Sequence, residues 1–254
     1  MSDRLICSKE IITADINLLG GIEDIHLIRD IVIGEEKQLA VSRTQKSYVR
    51  NKKAIEKNVL TFNSELHQKL FEDTLRSREW DVAFEKFLFW QMCYNNLLFD
   101  DVTKEVYLKY YFNGRASIES REIEAYLKDK YFENEIYQTW SSSTKKIIGS
   151  KYLSFLKKLG FIEGKVKKRI IPVTCSEREL CVFIHFLSAI GMLGQNLINA
   201  GFERYCFMSQ ASFTEMLKRL ALKEIINFEY TGDKLMVSPK NNNERLVDVI
   251  YNGT

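Results

Sequence analysis

Lysine and serine side chains line one face of a predicted helix near the middle of this 254-residue sequence. The apolar residues of that helix recur at spacings of four, three and four, so they would pack inward on one side. They are Ile148, Tyr152, Phe155 and Leu159. The opposite face carries small hydroxyls between ammonium groups, a combination that can approach a nucleic-acid duplex closely and neutralise its phosphates. Its members are Ser143, Lys146, Ser150, Ser154 and Lys157.

Both ends of this helix offer further anion contacts. The helix start holds Ser142, Ser143 and Thr144, and the free N–H groups and hydroxyls of a helix start bind phosphate. Lys145, the next residue, is a further candidate contact. After the helix the sequence period changes towards two, so 161–166 and 169–173 predict a short β-hairpin. The basic turn of this hairpin contributes Lys165, Lys167, Lys168 and Arg169.

The charge distribution along the chain singles out the same region. Residues 140–170 hold eight Lys and one Arg against Glu163, a balance of +8 in a chain whose net charge is only +3. The rest of the chain is therefore net acidic. A basic block on an acidic body is typical of an anion-binding surface, and this block exceeds what solubility requires.

A second basic stripe occurs in an earlier predicted helix, which begins near Ser42 or Thr44. Its five cations recur at spacings of three, four, three and four, and they therefore share one helical face. Like charges at this spacing repel by about 0.2–0.5 kcal/mol per pair, and a bound polyanion would offset that repulsion. The stripe is either a second nucleic-acid contact or a solvated face of a helical bundle. It consists of Arg43, Lys46, Arg50, Lys53 and Lys57.

The sequence holds none of the motifs that would indicate catalysis. A glycine-rich phosphate loop, HExxH and GxSxG are all missing. Cys181 and His185 are four residues apart, but their segment is apolar, so a buried pair is expected rather than a nucleophile with its base. Asp100 and Asp101 are interpreted as a helix cap rather than a metal site. We therefore expect no enzyme activity, no metal and no cofactor.

Composition favours a helical protein of the cytoplasm. Only two prolines and 12 glycines occur, and this scarcity of turn formers disfavours a sandwich or a barrel. The longest apolar run, 181–193, is shorter than the roughly 20 residues that a membrane helix needs. The N-terminus lacks the apolar core of a signal peptide, and the five scattered cysteines are expected to be reduced.

Periodicity and turn signals predict a mostly α fold. The prediction divides it into an N-terminal helical, helix-turn-helix-like domain (1–112), a central winged helix-turn-helix (113–174) and a C-terminal winged-helix-like domain (175–254). Helices are predicted at 8–19, 22–33, 42–60, 63–75, 80–99, 100–112, 117–131, 133–139, 142–160, 176–190, 194–200, 209–222 and 243–251, with a second hairpin at 225–230 and 234–237. The helix that ends at Leu222 is predicted to begin at Ser209 or Ser212.

The order of elements in the central region indicates how it would bind. Three helices followed by a hairpin is the order of a winged helix-turn-helix, whose third helix enters the major groove while the hairpin contacts the adjacent backbone. The helix at 142–160 takes the third place. Its polar face holds no Arg, Asn or Gln suited to bidentate base contacts, so binding would be largely backbone-directed. The C-terminal region mixes Lys218, Arg219 and Lys223 with Glu215 and Glu224, which favours a structural or partner-binding role there.

The stretch WSSSTKKIIGSKYLSFLKKLGFI (140–162) resembles the centre of the BrxA proteins of BREX phage-defence systems. Those proteins carry a Trp/Leu-Ser-x-Ser-Thr-x-Lys helix that ends in Leu-x-x-x-Gly-Leu/Phe-Ile. The order of the whole chain is similar as well, since a basic helix like that at 43–57 precedes the winged unit in the family. The resemblance implies double-stranded DNA binding within a multi-protein defence locus. The lysine-rich, rather than arginine-rich, groove face departs from the family.

Three hypotheses on function follow. The first is a cytoplasmic, non-enzymatic protein that binds double-stranded DNA within a BREX-type defence system, with other defence proteins as further partners and no membrane. The alternative is an adaptor that does not bind DNA and whose winged helices dock other proteins of the defence complex. The third is RNA binding by the N-terminal bundle. Salt separates the first two, because phosphate binding weakens steeply with ionic strength and apolar docking does not.

Overall fold

The computed structural model describes residues 16–17, 25, 28, 31, 44–76, 81–130, 139–165, 167–194, 196–198 and 200–240. This part of the chain is mostly helical, with two small antiparallel sheets. Within it, no helix is both long enough and apolar enough to cross a membrane.

The helices of the described residues are separated in places by short strands. In chain order the elements are α1 (Gln45–Asn58), α2 (Glu65–Arg76), α3 (Asp81–Asn95), α4 (Leu97–Val102), a π-helical segment (Thr103–Leu108), α5 (Lys109–Phe112), β1 (Ser117–Ile118), α6 (Ser120–Asp129), α7 (Ser142–Lys158), β2 (Ile162–Glu163), β3 (Lys168–Ile170), α8 (Glu177–Ala189), α9 (Phe202–Tyr205), α10 (Gln210–Leu222), β4 (Ile226–Tyr230) and β5 (Leu235–Pro239).

The described residues form two compact units, each built from segments that are distant in the sequence. Unit 1 comprises 62–87 and 173–240, and unit 2 comprises the described residues up to 61 together with 88–172. Helices α1 and α7, which carry the two predicted basic surfaces, both belong to unit 2. The predicted domain boundaries at 112 and 174 stay a prediction.

Helix α7 supplies the centre of the unit 2 core. The ring of Phe99 packs against those of Tyr152 and Phe155, with centroids 5.2 Å and 5.7 Å apart. The hydroxyl groups of Tyr152 and Thr103 form a buried hydrogen bond of 2.9 Å. Because even the polar tip of the Tyr152 ring has a partner, its burial leaves no unsatisfied group. The apolar face of α7 is thereby fixed, and its opposite face points away from this core.

Gly149 allows α6 and α7 to pack closely. A Cβ atom at Gly149 would lie 2.8 Å from the backbone oxygen of Ser120 and 3.3 Å from the Cβ of Ile123. Real Cβ atoms do not approach a backbone oxygen that closely, so α6 would have to move. A glycine inside a helix costs about 1 kcal/mol relative to alanine. The close approach of α6 explains why a glycine is nevertheless present here.

We expect Gly149→Ala to lower the free energy of unfolding. Overpacking a tight contact costs about 1–3 kcal/mol, which outweighs the gain of about 1 kcal/mol in helix propensity. Urea denaturation measures the difference, and Ser150→Ala, at the exposed neighbouring position, is the control that should not destabilise. A higher urea midpoint for Gly149→Ala would show that α6 and α7 do not approach closely.

Unit 2 also contains a three-stranded antiparallel sheet in the order β1–β3–β2. The central strand β3 pairs with both of the others, and each strand is only two or three residues long. The opposed pairs are Ser117 with Arg169, Ile118 with Lys168, Ile162 with Ile170, and Glu163 with Arg169.

Amide side chains attach the C-terminal end of α1 to the rest of unit 2. Asn96 donates a hydrogen bond to Oδ1 of Asn58 at 3.0 Å, and Asn95 donates to the backbone oxygen of Asn58 at 2.9 Å. Gln91 donates to the backbone oxygen of Val59 at 2.8 Å. The last carbonyls of a helix have no partner within the helix, and these buried amides satisfy them. The network therefore fixes which face of α1 is outward.

Unit 1 packs α2 against α8 and contains the β4–β5 hairpin. Ser176 and Glu179 form a reciprocal capping box at the start of α8. The carboxylate of Glu179 also pairs with Lys86, and both side chains are less than 10% exposed. His67 lies edge-on to Phe186, with ring centroids 5.4 Å apart. Removing one partner of this buried ion pair would leave an uncompensated charge.

The strongly periodic predictions are confirmed. The helices predicted at 42–60, 63–75, 142–160, 176–190 and 209–222 correspond to α1, α2, α7, α8 and α10, and both predicted hairpins are present. Thr44, one of the two candidate start residues for α1, caps it by accepting from the backbone N–H of Ser47 at 3.2 Å.

The predicted start of α2 is wrong by one residue. The hydroxyl of Ser64 accepts from the backbone N–H of His67 at 3.1 Å, so Ser64 and not Asn63 caps the helix. The backbone N–H of Asn63 instead donates to Nδ1 of His67 at 3.2 Å. Both residue types favour caps, so the sequence alone did not separate them.

The predicted role of Asp100 and Asp101 as a helix cap is also wrong. Asn96 interrupts the helix predicted at 80–99, and its side chain accepts from the backbone N–H of Phe99 at 2.9 Å. Helix α4 therefore begins at Leu97, and both aspartates lie inside it with buried side chains.

Two shorter predictions are corrected as well. The segment 117–118 is strand β1 rather than the start of a helix, and α6 begins at Ser120. The described residues of 194–200 contain no helix; the four-residue helix α9 follows at Phe202. The helices predicted at 8–19, 22–33, 133–139 and 243–251 lie wholly or mostly outside the described residues.

Candidate nucleic-acid interface

The two faces of α7 are oriented as the spacing predicts. The four apolar residues that were expected to pack inward are each at most 3% exposed. Four of the five polar residues are exposed, and the fifth, Ser154, is half-buried with its hydroxyl donating to the backbone oxygen of Ser150 at 2.9 Å. The exposed four are Ser143, Lys146, Ser150 and Lys157.

The start of α7 contributes fewer contacts than predicted. Ser141 caps the helix by accepting from the backbone N–H of Thr144 at 3.1 Å, and Thr144 is itself half-buried. Lys145 is only 4% exposed. A buried ammonium group cannot reach a phosphate unless the side chain moves, so Lys145 does not belong to the exposed basic face of α7.

The turn between β2 and β3 presents two lysines. Lys165 and Lys167 are exposed. Gly164 makes the turn with a φ of 101°, and a Cβ there would lie 2.6 Å from the backbone oxygen of Lys167. Only glycine combines this backbone conformation with that close approach. The tight turn therefore holds both amines at the tip of the hairpin, which we call the basic hairpin (162–170).

The two cations on β3 point to opposite faces of the sheet. Lys168 opposes Ile118, which is fully buried, and opposed residues of an antiparallel pair share a face. Arg169 is the next residue, so it lies on the other face, where it pairs with Glu163. Lys168 and Arg169, predicted as one cluster, are therefore separated by the sheet, and only Lys168 lies on the buried face.

An acidic side chain borders the exposed face of α7. Glu124 of α6 accepts from Lys128 at 2.8 Å, and this hydrogen bond lowers the pKa of Glu124. The positive charges of Lys128 and Lys146 lower it further. Glu124 therefore stays ionised, and its negative charge reduces the positive potential around Lys146.

The basic stripe on α1 is exposed over its described length. Arg43 lies outside the described residues. Among the residues that are described, no carboxylate forms an ion pair with Lys46, Arg50 or Lys53. The described members of the stripe are Lys46, Arg50, Lys53 and Lys57, all of them exposed.

The cysteine–histidine pair on α8 has no catalytic character. Cys181 and His185 are each 3% exposed, as the apolar segment predicts. Burial raises the pKa of Cys181 to about 12. A thiol with this pKa is protonated at neutral pH and is therefore a poor nucleophile.

The cations on α10 are engaged within unit 1. Lys223 pairs with Glu177, and Arg219 lies 4.0 Å from Glu177. The ammonium of Lys218 lies 5.9 Å from the ring centroid of Tyr230. The role predicted for this helix, structural or partner-binding, stays a prediction.

Sequence reasoning missed three residues that position the interface. Gly149 allows α6 to pack closely against α7, and Thr103 forms the hydrogen bond to the buried hydroxyl of Tyr152. Glu124 carries a negative charge that interacts with Lys146. A glycine in the middle of a strongly periodic helix signals close packing and could have been recognised. The other two contacts join residues 22 to 49 positions apart, and no local pattern reports them.

The fold and the interface define a mostly helical protein with a basic helix and hairpin on one unit. A model of the family named BrxA matches residues 35–185, which is more than half of the chain and includes both α1 and α7. The chain therefore belongs to the BrxA family and is a component of a BREX phage-defence system. Neither a curated protein nor a solved structure matches it.

Proposed function

We propose that this BREX component is a non-enzymatic, cytoplasmic protein that binds double-stranded DNA, mainly through the phosphate backbone. The observation that carries the proposal is the exposed lysine and serine face of α7, which is held outward by a fully buried apolar face. Small hydroxyls between amines allow close approach to a duplex and neutralise its phosphates.

The topology of unit 2 supports a winged helix-turn-helix. Strand β1 precedes α6 and α7, strands β2 and β3 follow them, and the sheet order is β1–β3–β2. In that motif the helix before the hairpin enters the major groove, and the hairpin contacts the backbone beside it. We assign these places to α7 and to the basic hairpin.

The composition of the exposed face favours binding with little sequence preference. Bidentate base contacts are made by Arg, Asn or Gln, and the exposed face of α7 carries only Ser and Lys at the positions predicted to enter the groove. Lysines contact phosphates as point charges, and phosphate contacts carry no information about the base sequence. Register and orientation on the duplex would therefore be set by the backbone.

A fluorescence-anisotropy titration with unrelated 20-base-pair duplexes at several salt concentrations tests this proposal. With roughly six phosphates contacted, log K should fall against log salt with a slope of about −5. Unrelated duplexes should bind similarly, whereas base readout would separate them by about 1–3 kcal/mol per altered base pair. Absence of binding at low salt, or a flat salt dependence, contradicts the proposal.

A protein-docking adaptor is the second candidate. Among the large apolar side chains exposed in the described residues are Ile147 on α7, at 47%, and Leu222 on α10, at 84%. Membership of a BREX system implies protein partners, and an apolar docking surface keeps its affinity when salt is raised. The adaptor function gains support if other proteins of the same defence locus stay bound in high salt while duplex DNA does not bind at all.

A further inference from the structure

The hydrogen bonds of the β4–β5 hairpin in unit 1 show which backbone groups of β4 face away from β5. The backbone N–H of Thr231 donates to the oxygen of Lys234 at 3.0 Å, and that of Lys240 donates to the oxygen of Ile225 at 3.1 Å. Opposed residues of an antiparallel pair alternate between hydrogen-bonded and non-hydrogen-bonded positions. In this register, every second residue of β4 therefore points its N–H and C=O outward. These residues are Ile226, Phe228 and Tyr230.

The outer edge of β5 is closed, whereas that of β4 is open. Leu235 donates its N–H to Oδ1 of Asn196 at 2.9 Å, and its oxygen accepts from the N–H of Leu197 at 2.9 Å. Pro239 has no N–H to offer. On β4, no group of the described residues hydrogen-bonds to the outward backbone of 226, 228 or 230. The sequence of β4 is INFEY, without the Pro, Lys or bulge that commonly protects an exposed edge.

A groove of about 450 Å³ lies on the face of the hairpin that carries Glu229. Met236 opposes Glu229 and shares this face, and Leu193 lines the groove as well. None of the lining residues is a cation, and within the described part of the chain no basic group pairs with Glu229. The groove thus combines a carboxylate with apolar side chains. This chemistry fits a long basic side chain, whose aliphatic stem packs on apolar groups while its charge meets the carboxylate.

We propose that β4 binds an extended segment of another protein of the same defence system. The segment adds as a strand along the open edge of β4 and places a lysine or arginine beside Glu229. Outward main-chain groups supply the affinity in this mode of recognition, and alternate side chains supply the specificity. Edge-to-edge pairing with a second copy is disfavoured, because the Glu229 face of β4 carries a carboxylate and no cation to match it. DNA binding is not required for this contact, since both basic surfaces belong to unit 2.

A peptide array tests the proposal with the full-length protein. Overlapping peptides of about 12 residues, long enough to span the five residues of β4, would tile the other proteins of the defence locus. We expect the bound peptides to contain Lys or Arg. Their affinities are then measured by fluorescence anisotropy for wild-type protein and for matched variants at Tyr230 and Glu229.

The matched variants separate the edge from the charge. Tyr230→Pro removes an outward N–H that the hairpin does not use, and Tyr230→Val removes the ring but keeps this N–H. The Pro variant should bind about 10-fold more weakly than the Val variant. Glu229→Lys should also bind about 10-fold more weakly than wild type, whereas Glu65→Lys, exposed on α2, should not. Because Glu229 is exposed, its variant should keep the wild-type urea midpoint, and the test stands even if Tyr230→Pro does not fold.

The other outcomes overturn the proposal. An array without a bound peptide refutes it, and equal affinities of the Pro and Val variants would show that the edge is not used. Peptides that lack a basic residue, or that bind Glu229→Lys as tightly as wild type, would refute the assigned chemistry. Self-association of the full chain that is lost in Tyr230→Pro would mean that a second copy occupies the edge. Failure to bind duplex DNA would refute the proposed function and leave the peptide result unaffected.

Discussion

We expect Lys146→Glu combined with Lys157→Glu to weaken duplex binding by about 100-fold at 0.1 M salt. At this concentration each lost phosphate contact removes about 0.9 log units of affinity through counter-ion release, and the new carboxylates add repulsion. Both side chains are exposed on the face of α7 opposite the core. The salt slope should become shallower by about two units. Anisotropy titrations measure both quantities.

The same variant should fold as the wild type does. Surface substitutions away from packed features change stability by about 0.5 kcal/mol or less, and urea denaturation checks this. The control is Lys69→Glu combined with Lys234→Glu, two exposed lysines of unit 1 whose reversal changes net charge equally. Wild-type affinity in the α7 variant would remove α7 from the interface. A large loss of stability would mean that the assigned faces of α7 are reversed.

The sequence predicted α7 well because helical periodicity is a local signal. Seventeen residues of regular spacing fix which side is apolar, and burial of Ile148, Tyr152 and Phe155 follows from that alone. Helices α8 and α10 begin with the serine caps Ser176 and Ser209, and for α10 the sequence alone left Ser209 and Ser212 as alternatives because both are serines.

In the basic hairpin, the sequence pattern did not predict which side chains share a face of the sheet. Strands of two or three residues are too short for alternation to reveal which side chain faces which way. The separation of Lys168 from Arg169 depends on pairing with β1, more than 45 residues earlier in the chain. The burial of Lys145 was missed for a similar reason. Lys145 lies between the half-buried Thr144 and the exposed Lys146, and its own burial is not visible in the local pattern.

The grouping of the chain into units also depends on distant contacts. Segment 62–87 belongs with 173–240, and the residues between them belong with the earlier part of the chain. Composition and turn signals along the chain do not report such pairings. A chain shortened to 113–254 would therefore lose part of both units, and point substitutions are the sounder way to test the basic stripe of α1.

We expect Lys46→Gln, Arg50→Gln and Lys53→Gln, combined in one variant, to weaken duplex binding by about 100-fold or more at 0.1 M salt. Three lost phosphate contacts would remove about 2.7 log units and make the salt slope shallower by about three. The three side chains are exposed and, among the described residues, pair with no carboxylate. The amide network that attaches α1 lies at the other end of the helix, so the variant should keep its fold.

In this variant the free energy of unfolding should rise while the affinity for duplex DNA falls. Opposite changes in these two quantities would identify the stripe as a binding surface. Gln has nearly the helix propensity of Lys and Arg, so the change removes repulsion at a small cost. Each relieved pair on the stripe is worth about 0.2–0.5 kcal/mol, and the urea midpoint should rise. A stripe selected for binding DNA thus lowers the stability of the free protein and raises its affinity. If the midpoint rises while affinity and salt slope stay at their wild-type values, the stripe is a solvated face, and DNA binding belongs to α7 and the basic hairpin alone.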